Sequence, residues 1–327
     1  MTRPILQVRD LKAHLHLRRG VVKAVDGISF DLYPGETLGV VGESGSGKTM
    51  TGLALLRLLP KPIGRIVGGS VTFDGEDLLA KSDAEMRAAR GSRISMLLQD
   101  PMTSLNPVFT IGNQVAEPLK IHQKLQGKPL RDRVKELLRL VRIPAPGARM
   151  RDYPHQMSGG MRQRVVGAIG LACSPQVLIA DEPTTALDVT IQSQYLRLLK
   201  EIQQETGVAI IFITHDLGVV ARMCDRVAVM YAGKIVEAAP VRDLFNNPQH
   251  PYTVALLKSL PSLEERSDKL YAIGGQPPSL LNLPKGCSFA PRCPLADAKC
   301  TASYPPQTTL SQGHVASCWR VEEKAHA

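Results

Sequence analysis

The stretch Gly42-Glu43-Ser44-Gly45-Ser46-Gly47-Lys48-Thr49 constrains this chain more than any other, because it fits G-x-x-x-x-G-K-[ST]. An apolar run, Leu38 to Val41, precedes it, and a helical pattern from Lys48 to Leu59 follows. Strand, turn and helix therefore stand in the order the chemistry needs. Glycines let successive backbone N–H groups curl around phosphate oxygens, and a helix N terminus favours negative charge. Lys48 is placed to reach the β- and γ-phosphates, and Thr49 to offer its hydroxyl to Mg²⁺. The residues from Gly42 to Met50 are the expected nucleotide site of an α/β, P-loop NTPase fold.

A second signal lies downstream. Val177-Leu178-Ile179-Ala180-Asp181-Glu182 is an apolar strand that ends in two carboxylates. In a P-loop enzyme the first, Asp181, belongs to the Mg²⁺ shell and the second, Glu182, polarises the attacking water. Alone, such a strand end is a weak sign; paired with the P-loop it is a strong one.

The rest of the pattern arranges itself around these motifs. Ile28 to Tyr33, Thr37 to Val41, Val71 to Phe73 and Ile94 to Leu98 read as short strands, giving an N-terminal antiparallel β part. Residues 107–165 read as an α-helical insertion, with helical spacing over Arg131 to Val141 and a stop at Pro144-Ala145-Pro146-Gly147. From Gly159 strand and helix alternate: a helix to Cys173, a strand at Val177 to Ala180, a helix at Ile191 to Gln204, a strand at Val208 to Ile213 and a helix after Asp216. Val227 to Tyr231, Ala232-Gly233 and Lys234 to Glu237 read as a hairpin. Beyond Pro240 prolines break up any long element, so residues 241–327 are expected to be a Pro/Cys-rich extension of a 1–240 cassette, ordered mainly by metal ligation.

Composition narrows the function classes. Forty Lys and Arg against thirty Asp and Glu give a net charge of +10, a first hint of an anionic partner. Aromatic residues are only 4%, too few for a base-stacking platform. The excess is also local, since residues 120–164 hold twelve Lys and Arg against Asp132, Glu136 and Asp152. A solvated helical face explains it better than nucleic acid. No apolar run approaches the ~18 residues of a membrane helix, and the N terminus lacks a secretory apolar region, so a cytosolic location is expected. Four of the six cysteines, Cys287, Cys293, Cys300 and Cys318, cluster near the C terminus with spacing that suits thiolate ligation of Zn²⁺ or an iron–sulfur cluster. Cys173 and Cys224 sit among apolar neighbours and read as buried thiols.

Met157-Ser158-Gly159-Gly160-Met161-Arg162-Gln163-Arg164, at the head of a helix between the two phosphate motifs, resembles the LSGGQ signature of ABC transporter ATP-binding subunits. The resemblance implies ATP and Mg²⁺ as ligands, with Thr49, Gln99 and Asp181 toward the metal, and Ser158, Gly159 and Gly160 on the nucleotide held by a partner subunit. It likewise implies that Gln99 is the Q-loop glutamine, that Ala186-Leu187-Asp188 is the D-loop and that His215 is the switch histidine that contacts the γ-phosphate, catalytic together with Glu182. Two positions depart from the family pattern: Met161 replaces the usual Gln, and Val22 stands where an aromatic would stack on adenine.

Asp100-Pro101-Met102-Thr103-Ser104-Leu105-Asn106-Pro107, Tyr153-Pro154-His155-Gln156 and His250-Pro251-Tyr252-Thr253 are similar to the D-type subunits of oligopeptide/dipeptide importers. That likeness implies an F-type ATPase as heterodimer partner, two membrane permeases, an extracytoplasmic solute-binding protein and a place on the cytoplasmic face of the membrane. It also implies a [4Fe–4S] cluster on the four cysteines, with nickel or glutathione as alternative solutes. A soluble ABC ATPase on nucleic acid is the rival, disfavoured by a single set of motifs and no sustained heptads. A P-loop kinase or GTPase gives no reason for Ser158-Gly159-Gly160 or His215.

Overall fold

The computed structural model describes residues 3–99, 101–185, 187–260 and 271–325. The chain divides into two compact units. The first gathers the stretch up to Leu6, Leu32–Thr37 and Phe73–Ile213; the second holds Gln7–Asp31, Leu38–Thr72 and the chain from Thr214 onward.

The second unit opens with a hairpin of β1 (Leu6–Leu17) and β2 (Gly20–Leu32), joined through a two-residue turn at 18 and 19. The sequence pattern misses β1 because Asp10, at φ 45°, interrupts the alternation, so Leu6 and Val8 point inward before the break and Leu11 and Ala13 after it. β3 (Thr37–Val41) is buried at every position. The predicted helix begins at Lys48 as expected but ends early, as α1 (Lys48–Leu55), because Arg57 turns left-handed at φ 52°. β4 (Gly64–Phe73) extends the predicted Val71 to Phe73 strand toward the N terminus.

The first unit carries β5 (Glu76–Asp77), α2 (Asp83–Ala89) with its Ser82/Glu85 capping box, and β6 (Ile94–Leu97). The helical insertion follows as α3 (Pro101–Ser104), α4 (Ile111–His122), α5 (Gly127–Leu140) and α6 (Pro146–Arg149). In α5, Leu130, Val134, Leu137 and Leu138 are buried at helical spacing, which leaves its Lys and Arg residues on the other face. The Pro/Gly stretch expected to stop this helix also starts α6, with Pro146 at its first turn. After a 3-10 turn at Pro154–Gln156 come α7 (Gly159–Leu171), β7 (Val177–Asp181), α8 (Val189–Thr206) and β8 (Ala209–Thr214). β7 pairs in parallel with β6 and with β8, in a register that sets Asp181 opposite Ile213. Helical crossovers of this kind are what a parallel sheet requires.

The second unit resumes with α9 (Leu217–Met223), capped by Asp216, then β9 (Arg226–Tyr231) and β10 (Lys234–Pro240) as an antiparallel hairpin. β9 also pairs in parallel with β3, Val41 opposite Val229. Beyond lie α10 (Val241–Asn246), α11 (Pro251–Lys258), a 3-10 turn at Ala290–Arg292, α12 (Ala298–Ala302), β11 (Thr308–Ser311), β12 (His314–Ala316) and α13 (Trp319–Ala325). A β ladder joins this tail to the cassette. β12 pairs antiparallel with β10, Glu237 opposite Ala316, and β11 pairs with β12. The buried Glu237 carboxylate accepts from the backbone N–H groups of Gln249 (2.8 Å) and His250 (2.9 Å) and pairs with His314 at 2.9 Å. Among the described residues no helix is long and apolar enough to cross a membrane.

Candidate active site

The P-loop belongs to the second unit. It leaves the buried β3 at Gly42, where φ is 153° and a Cβ would lie 2.2 Å from the Met230 carbonyl oxygen. At Gly47 φ is 106° and a Cβ would lie 2.2 Å from the Ala24 carbonyl oxygen. No side chain fits at either position, so the loop owes its path to two glycines pressed against backbone. The β9–β10 turn clasps the loop from one side, with Gly233 N–H donating to the Ser46 carbonyl at 2.9 Å. Lys48 is buried, and its Nζ donates to the carbonyls of Gly42 (2.8 Å) and Glu43 (3.0 Å). α1 begins without a side-chain cap and with no acidic residue in its first turn. Ser46 Oγ is buried with no hydrogen-bond partner among the described residues. A buried orphan oxygen beside an uncapped helix start and a buried ammonium group is the chemistry of a polyphosphate cradle. Ser44, Gly45 and Thr49 are exposed on the same loop, and Met50 is half-buried behind them.

The carboxylates belong to the first unit. Asp181 ends the fully buried β7 and is itself buried. Glu182 follows with φ 45°, a left-handed conformation that costs a non-glycine residue about 1 kcal/mol or more. Its N–H donates to the Ile213 carbonyl at 2.8 Å, tying the strained residue to β8. One carboxylate oxygen, Oε2, accepts from Gln99 Nε2 at 2.8 Å and from Thr185 Oγ1 at 3.0 Å. The structure thus joins Gln99 to Glu182 directly, a contact between residues that sequence spacing alone leaves far apart. Thr185 was not among the expected site residues.

Ser158 caps α7, its Oγ accepting from Met161 N–H at 3.4 Å, so the expected phosphate ligand stands at the helix head. Gly160 has a packing role as well: a Cβ there would lie 2.6 Å from Ile191 Cγ2 of α8, while Gly159 has open space. Asp188 caps α8, Oδ1 accepting from Ile191 N–H at 3.0 Å. His215 is exposed, immediately after the last residue of β8, in the second unit with the P-loop. Asp100 and Ala186, part of the motifs around Gln99 and Asp188, lie outside the described residues. Val22 is half-buried on β2.

Two further residues reach the P-loop from the tail. Tyr252 Oη accepts the Glu43 backbone N–H at 2.9 Å, and Arg292 clamps the Glu43 carboxylate through two bonds of 2.7 and 3.0 Å. The Glu43 carboxylate holds the Arg292 guanidinium more firmly protonated than usual. Tyr231, Tyr252, Phe289 and His250 pack around this contact in tilted and edge-on pairs, with ring centroids 4.5 to 6.0 Å apart. Tyr252 lies in the His250-Pro251-Tyr252-Thr253 motif and was signalled by it; nothing local to Arg292 gives it away.

The four tail cysteines line one small cavity, together with His250, Phe289 and Trp319. The metal site expected from their spacing is not formed as a ligand set, since no group of three or more His, Cys, Asp or Glu among the described residues is arranged to hold a metal ion. Burial pushes the Cys287 thiol up to about 11 and raises Cys293, Cys300 and Cys318 as well. Burial also drives His250 down to about 3, leaving Nδ1 to accept the Tyr252 N–H at 3.0 Å.

A family model described as ABC transporter matches residues 25–185, and one described as oligopeptide/dipeptide transporter, C-terminal region, matches residues 236–300. The chain is 52% identical over 98% of its length to a probable peptide ABC transporter ATP-binding protein of Sinorhizobium fredii, y4tR, covering 96% of that protein. It is 51% identical to the dipeptide transport ATP-binding protein DppD of Bacillus subtilis, covering 98% of this chain and 96% of that one. Among solved structures, the dimeric MJ0796, a bacterial ABC transporter cassette, superposes with a TM-score of 0.64 at 27% identity, covering 72% of this chain and 99% of that one.

Proposed function

Because the chain belongs to the ATP-binding subunits of ABC transporters, in the branch that carries the oligopeptide/dipeptide C-terminal region, we propose that it hydrolyses ATP to power import of di- or oligopeptides. The observation that carries the enzymatic part is the Gln99–Glu182 hydrogen bond of 2.8 Å, which fixes the carboxylate that activates water. The solute rests on the relatives named for peptides and on residues 236–300.

In this reading Gly42 to Met50 hold the nucleotide, and Lys48 shifts its ammonium from loop carbonyls to phosphate oxygens. Thr49, Asp181 and Gln99 offer the hard oxygen donors that Mg²⁺ takes, and the ion neutralises charge on the phosphates when bound. Glu182, held by Gln99 and Thr185, orients or deprotonates the attacking water. Ser158, Gly159, Gly160 and Asp188 serve the nucleotide held by a partner subunit, an F-type ATPase, and His215 senses the γ-phosphate. ATP binds the closed pair better than the open one, and two permeases follow that shift at the cytoplasmic face of the membrane. Residues 1–240 form the ATPase cassette, with the helical insertion at 107–165, and 241–327 the extension.

We assign Cys287, Cys293, Cys300 and Cys318 to a [4Fe–4S] cluster, with Zn²⁺ as the alternative thiolate-binding occupant. Their shared cavity supports this, and a bound cation would favour the thiolate forms that burial opposes. Bound there, such a group cross-links a lobe that has few core residues of its own.

Co-purification tests the whole reading. A tagged chain should bring down two permeases and a second ATPase, with ATPase activity stimulated by the binding protein loaded with peptide. Nucleic acid in place of permeases would overturn it. Brown colour and iron in an anaerobic preparation support the cluster; stoichiometric zinc supports the alternative, and neither metal removes both.

A further inference from the structure

The P-loop carries its own negative charge. Glu43 is the second residue of the phosphate-binding motif, half-buried, and a free carboxylate there would repel a polyphosphate bound to the neighbouring N–H groups. The tail cancels that charge. Arg292 Nη1 and Nη2 grip both Glu43 oxygens, at 2.7 and 3.0 Å, in the fork geometry that suits arginine and not lysine.

The guanidinium is itself built in. Its side chain is 4% exposed, it donates to Tyr231 Oη at 3.2 Å and to the carbonyls of Gly274 (2.9 Å) and Ile273 (3.3 Å), and it lies over the rings of Tyr231 and Phe289. Five hydrogen bonds and two ring faces hold one cation in place against one carboxylate. Tyr252 completes the grip by taking the Glu43 N–H.

We infer that Arg292 is a positioning residue for nucleotide: it draws the Glu43 carboxylate away from the phosphates and neutralises it, so that the extension sets the affinity of the P-loop for ATP. This rests on the ATP-binding reading above. The contact spans 249 positions of sequence, and Arg292 directly precedes Cys293, so this side chain couples the order of the cysteine lobe to the nucleotide loop.

The test uses the full-length chain, with ATP affinity read by displacement of a fluorescent ATP analogue and KM and kcat measured in the assembled complex. Arg292→Met should raise the ATP Kd and KM roughly tenfold while kcat changes less than about twofold, because the unpaired carboxylate opposes binding and not chemistry. Adding Glu43→Gln in that background should restore affinity to within about threefold of the unmodified chain, since it removes the charge that Arg292 was cancelling. Arg292→Lys, which keeps the charge but loses the fork, should lie between, and it serves as the read-out if Arg292→Met does not fold. Unchanged Kd in Arg292→Met or Arg292→Lys, or a double variant as weak as the single one, would overturn the inference. A lowered kcat and melting temperature at constant KM would do so too, by showing a packing role alone. Failure of the unmodified chain to bind the analogue would instead remove the ATP-binding reading and this inference with it.

Discussion

Replacing Gln99 by Ala removes a donor that helps fix the Glu182 carboxylate, and the structure sets the size of the effect. A hydrogen bond to a charged group contributes about 1.5–3 kcal/mol in mutational series. Gln99 is exposed and Glu182 half-buried, and the bond between them is open to solvent, so water competes and the lower end applies. Thr185 still donates to the same oxygen at 3.0 Å, which keeps part of the orientation. The net loss of transition-state stabilisation is then about 1.4 kcal/mol, or tenfold in kcat. The assay is steady-state ATP hydrolysis by the assembled complex at saturating ATP, with Mg²⁺ titrated separately. A tenfold fall in kcat with KM for ATP unchanged is expected. Gln99→Ala combined with Thr185→Val should fall further than the product of the single effects, because each of these donors partly compensates for loss of the other. A Gln99→Ala enzyme with normal kcat, or one whose sole defect is weaker ATP binding, would refute the claim that this contact orients the base.

Other outcomes follow from the same geometry. Glu182→Gln should abolish turnover by at least ~100-fold and trap an ATP-bound closed complex, seen as stoichiometric ATP retained on gel filtration. Lys48→Ala should weaken ATP binding itself, measured by equilibrium dialysis, since it removes the buried cation of the loop. Gly47→Ala should fail to bind ATP even where it folds, because a Cβ 2.2 Å from the Ala24 carbonyl forces the loop off its path; circular dichroism with analogue binding separates the two effects. His250 is buried neutral, with a folded pKa of about 3 against an unfolded value near 6.5. The unfolded chain therefore binds the extra proton, and stability is lost as pH falls below about 6.5. From pH 7 to 5 the loss is about 2 kcal/mol by urea unfolding, and His250→Asn, which keeps a cap acceptor, should lack that share of it.

The P-loop was legible because its constraint is local. Gly42, Gly47 and Lys48 sit within a few residues of one another, and the apolar run before them is buried along its whole length. The same holds for Val177 to Asp181 and for the cap residues Ser158, Asp188 and Asp216, whose side chains serve backbone N–H groups three residues on. What stayed hidden is long-range. β1 was missed because Asp10 breaks the alternation, and β12 because three residues give no period at all. The clamp of Arg292 on Glu43 leaves no trace in spacing. In the tail, Pro-rich and weakly periodic sequence suggests a lobe that needs ligation, and it gives no sign of the buried Glu237, the β ladder and the four packed rings that attach it to the cassette.

The β10–β12 ladder also decides where this chain can be cut. Ending it at Pro240 would leave β10 paired with β9 but strip it of β12 and bare a row of backbone donors and acceptors, with Glu237 losing its His314 and Gln249 partners at the same stroke. An open strand of that kind recruits whatever strand it meets, most readily another copy of itself. The terminal residues therefore act as a selvedge on the woven sheet, and a trimmed cassette should cling to its twin before it ever meets ATP.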